Sequence, residues 1–233
     1  MKNSAWFFGC SFTSGYGLNF DNEIREINLK YDCEYERMPE TIWFDFPFNQ
    51  FTDYKEKHKN EIWPCLVSDH FNLNYNNKGT NGAANEQIIA SIVKELQNID
   101  SGDYVFIGQT MSNRILIPNP NSKEKLRCGS LWRLENGDEL IDEYHTQEEQ
   151  RIIIDFIHDI VIKNEDCYTE YYRNIFNNFK EYFSKKNVKC FLWDFNEWNN
   201  YETIKSWTNN KIDDLHWSPK GHIDFATKVI KTI

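Results

Sequence analysis

The sequence predicts an α/β fold: a mostly parallel sheet with helices on both faces. Three observations carry this. The segments "AWFF" (5–8), "DYVFIG" (103–108) and "VKCFLWD" (188–194) are short and continuously apolar, as strands buried on both faces are. Segments of helical period and length lie between them. The order that results is strand, helix, strand, helix, strand, helices, strand, helix, which is the pattern of parallel strands joined by crossover helices. The chain has 233 residues, enough for one large domain over 1–233, with insertions expected near 20–60 and 115–146.

The elements follow in order. Ala5 to Phe8 is the first strand. Residues 20–60 keep no sustained period and hold the aromatic cluster "WFDFPFNQF" (43–51), so they read as a surface insertion. "NEIWPCLVSDHFN" (60–72) predicts a helix with Pro64 in its first turn, where a missing N–H costs nothing. "LNYNNKG" (73–79) is a weak strand. Over 84–97, "ANEQIIASIVKELQ" places Ile88, Ile92 and Leu96 on one helical face. After the strand at 103–108 comes the second insertion, in which "LWRLENGDELI" (131–141) carries Asn136-Gly137, a strong hairpin signal. Helices are expected over 147–162 and 168–185, and a last helix begins near Pro219.

Bulk properties narrow the function. The formal net charge is -10, which argues against a nucleic-acid partner because phosphate neutralisation needs a basic face. Lys2 is followed almost at once by "WFFG", too short an apolar run for a leader, and no run approaches membrane-spanning length. Six cysteines are scattered without a C-x-x-C pair, so reduced thiols in a cytoplasmic setting are expected, with no metal site and no cofactor.

The stretch "WFFGCSFTSGYG" (6–17) ends a strand on Gly9 and then presents Cys10 and Ser11. Ser11 reads either as a turn or cap residue or as a nucleophile. Sites in such sheets lie at the carboxyl ends of strands, so its position suits the second reading. A serine nucleophile needs a base within hydrogen-bond reach and a group that orients the base. "DDLHWSPKGH" (213–222) supplies Asp213 and His216, three apart in a loop before the last helix. An oxyanion hole needs donors aimed at the developing charge. The Ser11 N–H is one. "GTNGAANEQI" (79–88) offers Gly82, where backbone approaches a ligand closely, with Asn85 just beyond.

These residues resemble the SGNH (GDSL-like) hydrolases. "GCSFTSG" is similar to that family's first block, G-D-S-x-T-x-G; "NKGTNGAAN" resembles its second block, and Asp213-x-x-His216 its last. The resemblance implies a three-layer α/β/α sandwich of flavodoxin-like type with a five-stranded, mostly parallel sheet. It implies Ser11 as nucleophile, His216 as base, Asp213 as orienting acid, and an oxyanion hole from the N–H groups of Ser11 and Gly82 plus an asparagine side chain. The chain departs from the pattern twice. Cys10 replaces an aspartate that is not the triad acid. In "IGQTMSNR" (107–114), Thr110 stands where the third block has asparagine, so Thr110, Asn113 or Asn85 is left to supply the third donor.

Other readings stand beside these. Cys10 is either a thiol nucleophile or a small buried hydrophobe. Asp214 rivals Asp213; His222 packs or caps. Asp213, Asp214, His216 and His222 together form an alternative metal set. Arg114 either holds a substrate carboxylate or phosphate or is a surface arginine. The aromatic groups at 43–51 and 193–207 either stack on a sugar or pack the insertions down. The expected function is an ester hydrolase acting on a small acyl ester, such as an O-acetylated carbohydrate. An acyltransferase with the same triad and a non-catalytic binding protein on the same scaffold are the alternatives.

Overall fold

The computed structural model describes residues 2–14, 59–80, 82–112, 114–118, 126–130, 146–195, 217 and 219–233. Strand β1 is Ser4–Phe8, followed after Gly9 and Cys10 by a single turn of helix, α1, Ser11–Ser14. A short 3-10 turn, Lys59–Glu61, leads into α2, Trp63–His70. Then come β2, Asn74–Asn77; α3, Asn85–Glu95; and β3, Tyr104–Gln109. Strands β4, Arg114–Pro118, and β5, Leu126–Ser130, form a separate antiparallel pair. Helix α4, Gln147–Phe156, continues through a π turn, Ile157–Val161, and a 3-10 turn, Ile162–Asn164, into α5, Glu165–Lys185. Strand β6, Lys189–Asp194, and helix α6, Pro219–Thr232, complete the described elements.

The main sheet is parallel throughout, in the order β2-β1-β3-β6. Phe7 pairs in register with Phe106, and Phe106 with Phe191, so these rings share one face. Trp63 of α2 and Phe225 of α6 close over that face: the Trp63 ring stands 5.2 Å from Phe7 and 4.9 Å from Phe225. The opposite face receives α3 and α5, with Ile88 and Ile92 of α3 and Tyr172, Phe176 and Phe183 of α5 buried in the same core. Three layers result, as the alternation of elements predicts. Among the described residues the sheet has four strands, not five. Four is also the number of strand-like segments in the sequence; only the family resemblance implies a fifth.

Local chemistry fixes the start of each piece. The Ser4 N–H and the Trp6 indole N–H both donate to the Asp103 carboxylate, at 2.7 and 3.0 Å, which ties the start of β1 to the residue before β3. Pro64 lies in the first turn of α2, as expected. The Trp63 N–H, one of the donors a helix start leaves open, is taken by Nδ1 of His222 at 3.3 Å. His222 is fully buried and thus caps α2 from α6. In α3 the Gln87 side chain accepts the Ala84 N–H at 3.0 Å, which closes the helix entry.

The hairpin expected at Asn136-Gly137 lies outside the described residues, as do residues 20–58 of the insertion expected near 20–60, with its aromatic cluster. Of the second aromatic group, Trp193 and Phe195 are described, and both are buried core residues. Among the described residues no helix is long and apolar enough to cross a membrane.

Candidate functional site

Ser11 opens α1 at the carboxyl end of β1 and is 3% exposed. The turn that holds it is closed by the Thr13 and Ser14 N–H groups, both donating to the Cys10 carbonyl at 3.0 Å. The Ser14 hydroxyl donates to the Ser11 carbonyl at 3.1 Å. From below, the Trp63 indole N–H donates to the Phe12 carbonyl at 3.0 Å. Phe12 itself is sunk among rings: Phe195 at 4.8 Å and Trp217 at 5.0 Å. Thus the apolar residue after Ser11 anchors the turn, while among the described residues the Ser11 N–H and Oγ make no hydrogen bond. Cys10 is buried in the core cluster with Phe12, the setting of a small hydrophobe.

A second loop lies against this turn. The Lys78 and Thr80 N–H groups donate to the Phe7 and Gly9 carbonyls at 2.8 and 3.0 Å, extending the β1–β2 pairing past the end of the strand. The Asn77 side chain donates to the Thr13 carbonyl at 2.8 Å and accepts the Gly79 N–H at 2.9 Å. A Cβ on Gly79 would stand 2.7 Å from the Ser14 nitrogen and 2.9 Å from the Thr13 carbonyl carbon, so only glycine lets the two backbones meet. Gly82 follows with φ +66°, a left-handed conformation that favours glycine. Its N–H makes no hydrogen bond among the described residues.

The third piece is the exit of β3. Asn85 is fully buried, and its side chain takes both polar groups of the Thr110 backbone: Oδ1 accepts the Thr110 N–H at 2.9 Å, and Nδ2 donates to the Thr110 carbonyl at 3.1 Å. Arg114, the first residue of β4, donates from Nη1 to the Thr110 hydroxyl at 3.3 Å. Beside this, Gln109 donates to the Thr169 carbonyl at 3.2 Å, and Arg173 pairs with Asp194 at 3.5 Å, so the carboxyl edges of β3 and β6 are polar.

Asp213, Asp214, His216 and Asn113 lie outside the described residues. Trp217 is described: it is fully buried, 4.7 Å from Phe225 and 5.8 Å from Trp193. Among the described residues no three His, Cys, Asp or Glu side chains form a group that could hold a metal ion. Sequence reasoning missed Trp63 and Asn77. Each acts on the Ser11 turn from a distant element, and no local pattern marks such a partner.

Two electrostatic features steady the scaffold. The Tyr172 hydroxyl of α5 donates to the Glu86 carboxylate of α3. Burial pushes its pKa far above the ordinary tyrosine value, and the hydrogen bond to Glu86 pushes the same way, so it stays a donor. The Glu95 carboxylate accepts from Asn98 at 2.8 Å and pairs with Lys78 at 3.0 Å. The Asn98 hydrogen bond first, then Lys78, hold its pKa below the ordinary 4.5. A depressed acid stabilises the fold above its unfolded pKa and loses that contribution as pH falls through the folded value. Glu95→Gln should therefore cost up to ~1 kcal/mol at pH 7, discounted for the solvent around Lys78, and nothing measurable below the folded pKa. Urea unfolding of both proteins at pH 7 and pH 3 checks this; a difference that does not change with pH overturns it.

No family model matches the chain, and no curated protein matches it. Solved structures similar to it include the following two. One is a member of the lipolytic protein G-D-S-L family from Veillonella parvula DSM 2008; it is 12% identical, 98% of this chain and 96% of that chain are covered, and the TM-score is 0.38. The other is described as a lipolytic protein of the G-D-S-L family from Desulfitobacterium hafniense DCB-2; it is 12% identical, 99% of each chain is covered, and the TM-score is 0.39.

Proposed function

We propose that this chain is a serine-dependent ester hydrolase of the SGNH type, acting on a small acyl ester such as an O-acetyl group on a carbohydrate. The observation that carries the reading is the contact between Phe12 and Trp217. Phe12 follows Ser11 and Trp217 follows His216, so the residues adjoining the proposed nucleophile and base are packed on each other. Among the described residues the N–H groups of Ser11 and Gly82 make no hydrogen bond, which adds support because an oxyanion hole needs backbone donors not spent elsewhere.

In the proposed reaction the Ser11 Oγ attacks the acyl carbon, and its proton passes to the His216 imidazole, which Asp213 orients. The carbonyl oxygen becomes the oxyanion and is held by the two backbone N–H groups. The C–O bond to the alcohol then breaks, and His216 returns its proton to the leaving oxygen. Water attacks the acyl-enzyme and gives a proton to His216. The acid departs as that proton returns to the Ser11 Oγ.

The test is labelling with a fluorophosphonate probe followed by peptide mass spectrometry. Covalent phosphonate on Ser11, blocked by His216→Ala, is the expected result. No labelling of the folded wild-type chain, or labelling at another residue, overturns the reading.

A further inference from the structure

We propose that the outer side of α4 is a self-association surface: Ile152, Phe156 and Ile160 pack against the same three residues of a second copy, with the two helices antiparallel. Helix α4 and the π turn after it already bury one side within the chain. Ile157 and Val161 form a small core of their own, and Ile115 of β4, Ile153, Ile154 and Tyr168 pack against it. Ile152, Phe156 and Ile160 remain 60%, 46% and 45% exposed. Single exposed apolar residues are ordinary on a protein surface, but three at a spacing of four form a continuous row. A row with that spacing drifts by about 40° per step around an α-helix. The π turn at Ile157–Val161 is wider, and it sets Ile160 back towards the line through Ile152 and Phe156.

The occupant is read from the charges along one flank of that row. In chain order they are Glu148, Arg151, Asp155, Asp159 and Lys163. Arg151 pairs with Asp155 at 3.9 Å and Lys163 with Asp159 at 2.6 Å, so these four share one side of the helix. Glu148 lies two turns before Asp155 on the same side. The signs run minus, plus, minus, minus, plus. Two parallel copies would set each charge against its like. Two antiparallel copies, related by a twofold axis at Phe156, turn the order round. Glu148, about 12 Å from that axis along the helix, then meets Lys163 of the second copy, about 10 Å from it. Arg151 meets Asp159 of the second copy in the same way. Asp155, beside the axis, faces its own copy and is the one mismatch in the row. Complementary charges flanking an apolar row set the direction and register of a helix pair.

A lipid surface fits less well. The flank carries three carboxylates against two cations, and the whole chain has a formal net charge of -10, which an anionic membrane repels. The row itself is small. It falls short of the roughly 800 Å² per partner of a standard interface, so the dimer is weak, with a dissociation constant on the order of 10–100 µM.

The test is sedimentation velocity of the full chain over about 1–500 µM, with circular dichroism on every variant. The wild type should pass from monomer to dimer across that range. Phe156→Gln should weaken the dimer at least about tenfold. Glu148→Lys alone and Lys163→Glu alone should each weaken it about three- to tenfold. The two together should bring it back to within about twofold of wild type, because the swap reverses both members of each pair. Asp155→Asn should tighten it about threefold, since it removes the like-charge contact at the axis. Should a charge reversal unfold the chain, Phe156→Gln and Asp155→Asn carry the test. A monomer at every concentration overturns the proposal. So does a dimer that Phe156→Gln leaves unchanged, or a charge-swapped protein no tighter than the single variants. An Ile152→Gln protein whose Tm falls by more than about 4 °C where the wild type is monomeric also overturns it, because a segment of the same chain then covers the row. Binding of the monomer to phosphatidylcholine vesicles, lost in Phe156→Gln, overturns it in favour of a lipid surface.

Discussion

Ser11→Ala is expected to lower the turnover of p-nitrophenyl acetate by at least about 10³-fold and to leave the fold in place. The large kinetic effect follows from the role of Oγ, which forms the bond to the acyl carbon; without it, oxyanion donors and binding alone remain. The small structural effect follows from the surroundings. Among the described residues the Ser11 Oγ makes no hydrogen bond, so its loss leaves no described partner unsatisfied. A change within ~0.5 kcal/mol corresponds to a Tm shift of about 2 °C or less for a chain of this size. Cys10→Ala is the matched control. A thiol nucleophile needs thiolate character and access, whereas Cys10 is buried in the core cluster. Loss of turnover in Cys10→Ala with retention in Ser11→Ala would transfer the chemistry to the thiol. Equal turnover in wild type and Ser11→Ala would reduce "GCSFTSG" to a turn.

The main sheet was legible because its strands announce themselves. "DYVFIG" and "KCFLWD" need no partner to be recognised; continuous apolar character over strand length suffices. Even β2, polar over "NYNN", reads as a weak strand, and among the described residues it is the edge strand beside β1. The pair β4–β5 was not legible. Pro118 ends β4, and Gly129 and Ser130 end β5, residues that weaken a strand signal. Proline is tolerated there because every strand of a two-stranded sheet is an edge.

The site divides in the same way. Gly82 and Asn85 were chosen from their place in one loop, and the structure puts Gly82 in the left-handed region and Asn85 beside the β3 exit. What the loop could not reveal was the partner of Asn85. Its amide is joined to the Thr110 backbone, 25 residues away in sequence. Arg114 likewise reads from sequence as a charge near a strand end; its hydrogen bond to the Thr110 hydroxyl is seen only in the structure. Pairings of this kind depend on how elements pack, and no spacing along the chain encodes them.

Trp63→Ala is the substitution expected to damage the fold most. The ring is fully buried, and it stands edge-on to Phe7, Phe106, Trp193 and Phe225, at 5.2, 6.1, 6.4 and 4.9 Å. It joins the sheet, through Phe7, to α6, through Phe225. A buried tryptophan reduced to alanine costs about 3–5 kcal/mol, which for a chain of this length lowers Tm by roughly 6–20 °C. Trp63→Phe is the milder change. It keeps a six-membered ring, removes the indole N–H that holds the Phe12 carbonyl at 3.0 Å, and leaves a smaller cavity than Trp63→Ala does. The expected loss is about 1–3 kcal/mol of stability, from a buried carbonyl left without its donor and a small cavity. The fall in kcat should be larger than stability alone explains, because Phe12 adjoins Ser11 and its carbonyl fixes the turn that aims Oγ. Thermal unfolding followed by circular dichroism, with kcat measured well below Tm, separates the two effects. A Trp63→Ala protein that melts within 2 °C of wild type would mean that the ring is not the keystone of this face. A Trp63→Phe protein with wild-type kcat would mean that the turn is held by Cys10, Ser14 and Asn77 without the indole.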